Sequence, residues 1–132
     1  MKAGDVYSEA IVFRQEDVQV FAEITGDTNP IHINEEYAAS SAYGRTLVHG
    51  MYAASCFSRV LGTKFPGEGT VTISRTFTFV RPVFVGETYT MTFKVLEIDP
   101  TEGQVSIKCV LKNAAGRICI TGVVLDKLPE HV

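Results

Sequence analysis

The alternation of apolar and polar residues in the second half of the chain constrains the fold more than any other feature. A period of two residues is typical of β-strands that bury one face. The alternation predicts four half-buried strands, at residues 71–79, 89–98, 105–111 and 118–125. A parity shift at Leu96 indicates a bulge or a strand end. Because the turns between the last three strands are short, those strands should form an antiparallel meander.

The first half of the chain predicts one strand, at residues 6–13, followed mainly by helices. Acidic residues open a first helix, which should end at Gly26 and present an apolar face of Val18, Phe21 and Ile24. Residues 26–32 predict an irregular loop, because Asn29 precedes a proline. Asn34 is a suitable cap for a short helix over residues 35–41.

A longer helix is predicted from about His49 to Leu61, with Gly62 as its end. Its apolar side chains lie almost all round it, which is typical of a buried helix. Such a helix, laid across an antiparallel sheet of about five strands, would cover apolar surfaces of both. The sequence therefore predicts the α+β class, with one helix layer on one sheet, in a single domain spanning residues 1–132.

Composition excludes several classes of function. The net charge is −3 and the 12 basic residues form no run, so nucleic acid is not an expected partner. No segment is long and apolar enough to span a bilayer, and we expect a soluble cytoplasmic protein. Three widely spaced cysteines, with no Cys-x-x-Cys or Cys/His cluster, predict reduced buried thiols and no metal site.

Asp27 and His32 are the candidate pair for proton transfer. Histidine titrates near neutral pH, and a carboxylate five residues away across a rigid Asn-Pro bend could hold the same water or substrate. On spacing alone, an aspartate and a histidine in one loop more often bind backbone groups than catalyse. Asn29-Pro30 is likewise an ordinary turn former.

The run Asp27-Thr28-Asn29-Pro30-Ile31-His32 resembles the Asp-x-Asn-Pro-x-His signature of the MaoC-like, (R)-specific enoyl-CoA hydratases. The segments 46–51 and 79–87 resemble two later segments of that family, in the same order. This resemblance implies a hot-dog fold, in which an antiparallel sheet wraps a long central helix. It also implies a hydro-lyase that hydrates trans-enoyl-CoA reversibly to the (R)-hydroxyacyl-CoA.

The resemblance implies that Asp27 and His32 jointly bind and activate the water, with Asn29 as a supporting residue. Ser58 falls where the family often carries an active-site serine, although a helix serine can equally bond to a preceding carbonyl.

Gly50 has a physical case of its own. It lies near the amino end of the buried helix, where free N–H groups favour negative charge, and it lets a carbonyl approach the backbone closely. The resemblance implies that its N–H is the oxyanion donor. We expect the neighbouring His49 to shape the helix start or the neighbouring loop rather than to transfer a proton. We expect Arg45 and Arg81 to be surface charges that could meet coenzyme phosphates.

No cofactor is expected, because the coenzyme A thioester is itself the substrate. An uncovered sheet edge predicts a homodimer or a larger dimer-based oligomer. Three alternatives stay open: a 3-hydroxyacyl-acyl-carrier-protein dehydratase, a hot-dog acyl-CoA thioesterase, and a non-catalytic acyl-thioester binding module. The lack of a clear basic helix favours coenzyme A over the acidic carrier protein, and the intact Asp27/His32 pair argues against a mere binder.

Overall fold

The computed structural model describes residues 1–131 and contains one antiparallel sheet of five strands, in the order β1-β3-β4-β5-β2. The elements in chain order are β1 (Val6–Val12), α1 (Gln15–Thr25), α2 (Pro30–Ile33), α3 (Glu35–Ala39), α4 (Gly50–Thr63), β2 (Val71–Phe79), β3 (Thr88–Asp99), β4 (Gln104–Lys112), β5 (Ile118–Lys127) and a final 3-10 turn (Pro129–His131). The predicted α+β class and the meander of β3, β4 and β5 are confirmed. The predicted domain end, Val132, lies outside the described residues.

The helix α4 packs on one face of the sheet and forms the core with it. Phe57, in the middle of α4, is fully buried and meets Phe93 of β3 edge to face at a centroid distance of 5.7 Å. It also stacks on Phe77 of β2 at 5.4 Å. The inward residues of β3 and β4 alternate with polar ones, as predicted, and the shift of register between Val95 and Glu97 confirms the expected bulge.

One predicted helix end and three expectations about burial were wrong. The helix α4 runs on through Gly62 to Thr63, and one of its sides is open, with Met51 66% exposed. The strand β2 pairs with β5 alone and forms an edge of the sheet, so Val71 and Ile73 are exposed instead of half-buried. Ile24 is 79% exposed, because α1 turns Val18 and Ala22 toward the core.

The three cysteines are free and buried, as predicted. Within residues 1–131, every helix is too short or too polar to cross a lipid bilayer.

A linking segment (residues 45–49) joins the parts of the molecule that carry the predicted site residues. The N–H of Leu47 donates to the carbonyl of Ile31 at 3.0 Å, and the N–H of Val48 donates to the carbonyl of Val83 at 2.8 Å. Residues 26–34 are called the site loop below. One of the two hydrogen bonds holds the site loop, and the other holds the segment before β3, next to the start of α4.

Candidate active site

The site loop owes its shape to local hydrogen bonds made by its own side chains. The carboxylate of Asp27 accepts a hydrogen bond from the N–H of Asn29 at 3.4 Å, and the amide oxygen of Asn29 accepts one from the N–H of Ile31 at 3.3 Å. Pro30 then starts the one-turn helix α2, a position where its missing N–H costs nothing. The predicted irregular loop was therefore wrong over residues 30–32, since His32 lies on a helical turn that Asn29 caps.

The imidazole of His32 is half-buried, and one of its nitrogens is committed to the backbone. Nδ1 lies 2.8 Å from the carbonyl oxygen of Leu47. A carbonyl oxygen can only accept, so Nδ1 carries the hydrogen and Nε2 keeps a lone pair. Burial lowers the pKa of His32 below the ordinary value of 6.5, the hydrogen bond to Leu47 opposes this, and the nearby charge of His49 lowers the pKa further. His32 therefore presents a neutral, proton-accepting Nε2 at neutral pH.

Asp27, His32 and His49 offer side-chain atoms that all lie within 4.8 Å of one another. Asp27 is exposed, His32 is half-buried and His49 is buried, so the three side chains extend from the solvent to the core. The structure thus brings the predicted pair, Asp27 and His32, together.

An aspartate and two histidines this close could also hold a metal ion, but His49 engages a backbone carbonyl through Nε2 and its Nδ1 is buried. The absence of a metal stays a prediction.

Gly50 is the first residue of α4, where an α-helix leaves its N–H groups without partners inside the helix. It lines a cavity of about 290 Å³ together with His32, Tyr43, Phe79 and Arg81. A Cβ atom at Gly50 would lie 2.9 Å from two ring carbons of Phe79, which is closer than real side chains approach. The cavity, called the His32 cavity below, therefore joins a proton acceptor to the first residue of α4, and the ring of Phe79 lies beside that residue.

Ser58 lies farther along α4 and lines a second opening, the α4–β2 cleft, of about 380 Å³. The other walls of this cleft include Met51, Ala54, Thr72, Arg75 and Phe77. Phe79 lines both spaces. Ser58 therefore lines the cleft, whereas His32 and Gly50 line the His32 cavity and Asp27 lies within 4.8 Å of His32.

Residues 3–115 match the sequence pattern of the MaoC like domain, which is most of the chain. The chain belongs to the MaoC-like dehydratase family. The resemblance predicted from three ordered motifs is confirmed, and so is the enzyme class, a hydro-lyase.

Two curated relatives of this MaoC-like chain are similar over most of its length. One is the 3-hydroxybutyryl-CoA dehydratase of Methylorubrum extorquens, 40% identical over 114 residues, which cover 86% of this chain and 72% of the relative. Another is the (R)-specific enoyl-CoA hydratase of Rhodospirillum rubrum, 33% identical over 131 residues, or 99% of this chain and 90% of the relative. Both names describe the addition or removal of water at an acyl-CoA.

Among solved structures, the (R)-hydratase from A. caviae, involved in PHA biosynthesis, superposes with a TM-score of 0.94. The two sequences are 31% identical, and the match covers 98% of each chain. The hot-dog fold expected of this MaoC-like chain is therefore confirmed.

The two arginines of interest have different surroundings. Arg45 pairs with Glu87 at 2.6 Å and lies 3.8 Å above the ring of Phe84, so it is engaged at the surface. Arg81 lines the His32 cavity and donates to the carbonyl of Ile118 at 2.6 Å. Of the two, only Arg81 is placed beside the cavity of this MaoC-like site.

Of the two roles expected for His49, the structure shows the contact with the neighbouring loop. His49 precedes α4 as expected, but its side chain makes no capping hydrogen bond to the helix. Instead, Nε2 lies 2.9 Å from the carbonyl oxygen of Asp27, and the ring stacks on His32. Its place beside Gly50 was visible in the sequence, but its contact with a residue 22 positions away was not.

Proposed function

We propose that the protein is an (R)-specific enoyl-CoA hydratase, which adds water reversibly to a trans-enoyl-CoA to give the (R)-hydroxyacyl-CoA. One observation carries this proposal: His32, which has the carboxylate of Asp27 within 4.8 Å of a ring nitrogen, lines a cavity that Gly50 at the amino end of α4 also lines. Hydration needs a group that takes a proton from water, a group that returns one, and a donor for the thioester oxygen. The family and both named relatives support this chemistry.

In this proposal the thioester carbonyl lies against the N–H of Gly50. Negative charge grows on that oxygen as the double bond is attacked, and the positive end of the α4 dipole favours it. The space there is defined by the missing side chain of Gly50 and the ring of Phe79. A donor of this kind is worth roughly 10²–10³ in turnover when it is removed.

The water lies between Asp27 and His32. Nε2 of His32 takes one proton as the water oxygen bonds to the β-carbon. The carboxylate of Asp27 accepts a hydrogen bond from the other hydrogen, which stays on the oxygen in the product hydroxyl. The electron pair of the double bond moves toward the carbonyl oxygen. The Asp27/His32 pair then returns the proton taken from the water to the α-carbon. All atoms of the water end in the product, so the step calls for no cofactor.

The acyl chain extends from the His32 cavity into the α4–β2 cleft. The walls of the cleft are mostly apolar, with Met51, Phe77 and Phe79 among them, and apolar surfaces of this kind bind alkyl chains by the hydrophobic effect. Ser58 would then lie beside the chain, in a supporting role rather than as a proton-transfer group. Arg81, at the His32 cavity, is placed to meet an anionic part of the coenzyme.

We further propose that the protein is a homodimer that works in the cytoplasm. The edge strand β2 leaves one row of backbone groups unpaired, and Ile73, Phe79 and Val80 are exposed along it and just after it. Three free cysteines suit a reducing compartment. Light scattering at micromolar concentration should give twice the mass of the chain, and a strictly monomeric mass would contradict the dimer.

One assay tests the proposed function against its alternatives. The protein is incubated with crotonyl-CoA while the enoyl absorbance and the release of free thiol are followed. Loss of absorbance without thiol supports hydration, and release of thiol indicates a thioesterase. If neither signal appears, a non-catalytic binder is indicated, and a strong preference for the acyl-carrier-protein thioester would indicate the carrier-protein dehydratase.

Substitutions then assign the roles. Asp27→Asn and His32→Ala should each leave the fold intact and lower turnover by roughly 10²-fold or more. Asp99→Asn is a matched control, because Asp99 accepts turn hydrogen bonds between β3 and β4 and lines neither cavity. A variant of Asp27 or His32 that turns over as fast as this control would remove that residue from the mechanism.

A further inference from the structure

His49 is a buried polar side chain whose position is not explained by the packing of the core. It is 2% exposed and stands immediately before α4, yet it does not cap the helix. A buried polar group is costly unless it has a partner, so each such group calls for an explanation. Its partners in this structure are the two members of the proposed catalytic pair.

The first contact of His49 is with the main chain of Asp27. Nε2 lies 2.9 Å from the carbonyl oxygen of Asp27, and because that oxygen only accepts, Nε2 carries the hydrogen and donates it. Asp27 lies in the first part of the site loop. Long-range hydrogen bonds hold residues 31–33 of that loop, whereas the other bonds of Asp27 are short-range, such as the bond from its N–H to the hydroxyl of Thr25 at 3.2 Å. The bond from His49 therefore ties this loop to the start of the buried helix α4.

The second contact is with the ring of His32. The two imidazoles stack with their centroids 4.0 Å apart and an angle of 28° between their planes. Phe21 of α1 packs against His49 with a centroid distance of 4.8 Å, so His49 is enclosed between an apolar ring and His32. The ring of His32 is thus fixed at two places, by its hydrogen bond to Leu47 and by the face of His49.

We propose that His49 is a positioning residue for hydration. Its Nε2–H holds the main chain of Asp27, and its ring is the surface against which His32 stacks, so one buried side chain sets the spacing of the proposed pair. This inference rests on the proposed function of Asp27 and His32. His49 itself touches no substrate in this scheme and transfers no proton.

We expect a large loss of turnover when His49 is replaced, because proton transfer tolerates only small changes in the positions of the reacting groups. Reacting groups have to lie within about half an ångström of their productive positions, and a displacement of roughly 1 Å can cost about 10²-fold in rate. Loss of the tie to Asp27 would free the loop that carries the carboxylate. It would leave the walls of the α4–β2 cleft, and so most of the binding surface, unchanged.

A matched pair of variants isolates the hydrogen bond. The amide nitrogen of a glutamine extends to about the position of histidine Nε2, whereas that of an asparagine extends only to about the position of Nδ1. His49→Gln can therefore still donate to the carbonyl of Asp27, and His49→Asn cannot. Both variants remove the ring and are polar, and asparagine is a good residue at a helix start, so both should fold.

With crotonyl-CoA, we expect His49→Asn to lower kcat by roughly 10²-fold, with KM within about threefold of the original value. His49→Gln should recover at least tenfold of that loss and stay below the original enzyme, because the stacking on His32 is gone. Equal kcat values in the two variants, or a His49→Asn enzyme within threefold of the original, would overturn the proposal. Thermal unfolding of both variants shows whether a difference comes from stability instead.

A measurement that does not depend on activity separates this inference from the proposed function. Nitrogen-15 NMR of the histidine side chains at neutral pH reports which ring nitrogen carries the hydrogen. We expect His49 to be protonated at Nε2 and His32 at Nδ1. A dominant Nδ1–H form of His49 would overturn the proposal even in an active enzyme, and an enzyme inactive on every thioester would refute the proposed function while leaving this tie to Asp27 measurable.

Discussion

Gly50→Ala tests the most demanding piece of geometry in the site. The added Cβ would lie 2.9 Å from two ring carbons of Phe79, where ordinary contacts begin at 3.4 Å, so the ring has to move by roughly half an ångström or more. Phe79 is 48% exposed at the end of an edge strand, and it can yield. We therefore expect a loss of stability below about 1 kcal/mol.

The loss of activity should be much larger. The methyl group would stand where the thioester carbonyl has to approach the Gly50 amide, and complete removal of such a donor costs roughly 10²–10³ in turnover. Because the amide is still present in the variant, we expect kcat/KM for crotonyl-CoA to fall by about 10–100-fold. Gly62→Ala is the matched control, since it adds the same methyl group to the same helix at a point with no atom within 4 Å.

A second variant distinguishes crowding of the substrate from displacement of the ring. In Phe79→Ala the ring is absent, so Gly50→Ala placed in that background no longer meets it. If the carbonyl is what the methyl obstructs, the double variant should stay at least tenfold below Phe79→Ala alone. Equal activity of those two proteins, or a single Gly50→Ala variant within threefold of the original, would refute the role of Gly50 as oxyanion donor.

Three further predictions concern pH and stability. Since burial lowers the pKa of His32 below 6.5, the acid limb of the kcat/KM profile should lie below that pH, and a limb above 6.5 would contradict a neutral base there. Ion pairs with Lys64 and Arg59 lower the pKa of Glu9 from 4.5 to about 2, so its contribution to stability is present above pH 4.5 and is lost as the pH falls toward 2. Glu9→Gln should accordingly lower the free energy of unfolding by about 1 kcal/mol at pH 7, as measured in urea, and by nothing near pH 2. Gly122→Ala would place a Cβ 2.1 Å from the backbone oxygen of Thr76 and should cost about 3 kcal/mol or more, whereas a value below 1 kcal/mol would show that β2 moves freely.

The order and type of the elements were predictable because the signals are local. Alternation in 89–98 and 105–111 identified β3 and β4, since both strands lie inside the sheet and bury every second residue. The same alternation misled for much of β2, since Val71, Ile73 and Phe79 are exposed along an edge. Periodicity reports that a residue is apolar. It does not report whether a neighbouring strand is there to cover it.

The site was predictable to the extent that it is contiguous in sequence. Asp27, Asn29 and His32 lie within six residues and share one turn, so their grouping follows from the Asn-Pro bend and its cap. The contact from His49 to Asp27 and the wall formed by Phe79 depend on how α4 and β2 pack, which no local pattern records. For the same reason no local pattern could decide between the two roles considered for Ser58, which lies in the neighbouring cleft.

Two main-chain hydrogen bonds set the frame around the site, and this has a consequence for specificity. Backbone bonds from Leu47 and Val48 set the site loop and the segment before β3 around the start of α4, whatever side chains surround them. Only a few positions then require a specific residue type for the proposed reaction, and they lie near the start of α4. Residues of the α4–β2 cleft, such as Met51 and Phe77, bear no part of that scaffold. They are free to change with the acyl chain that the enzyme accepts, so we expect substitutions there to alter the ranking of substrates by chain length while the pH profile stays the same.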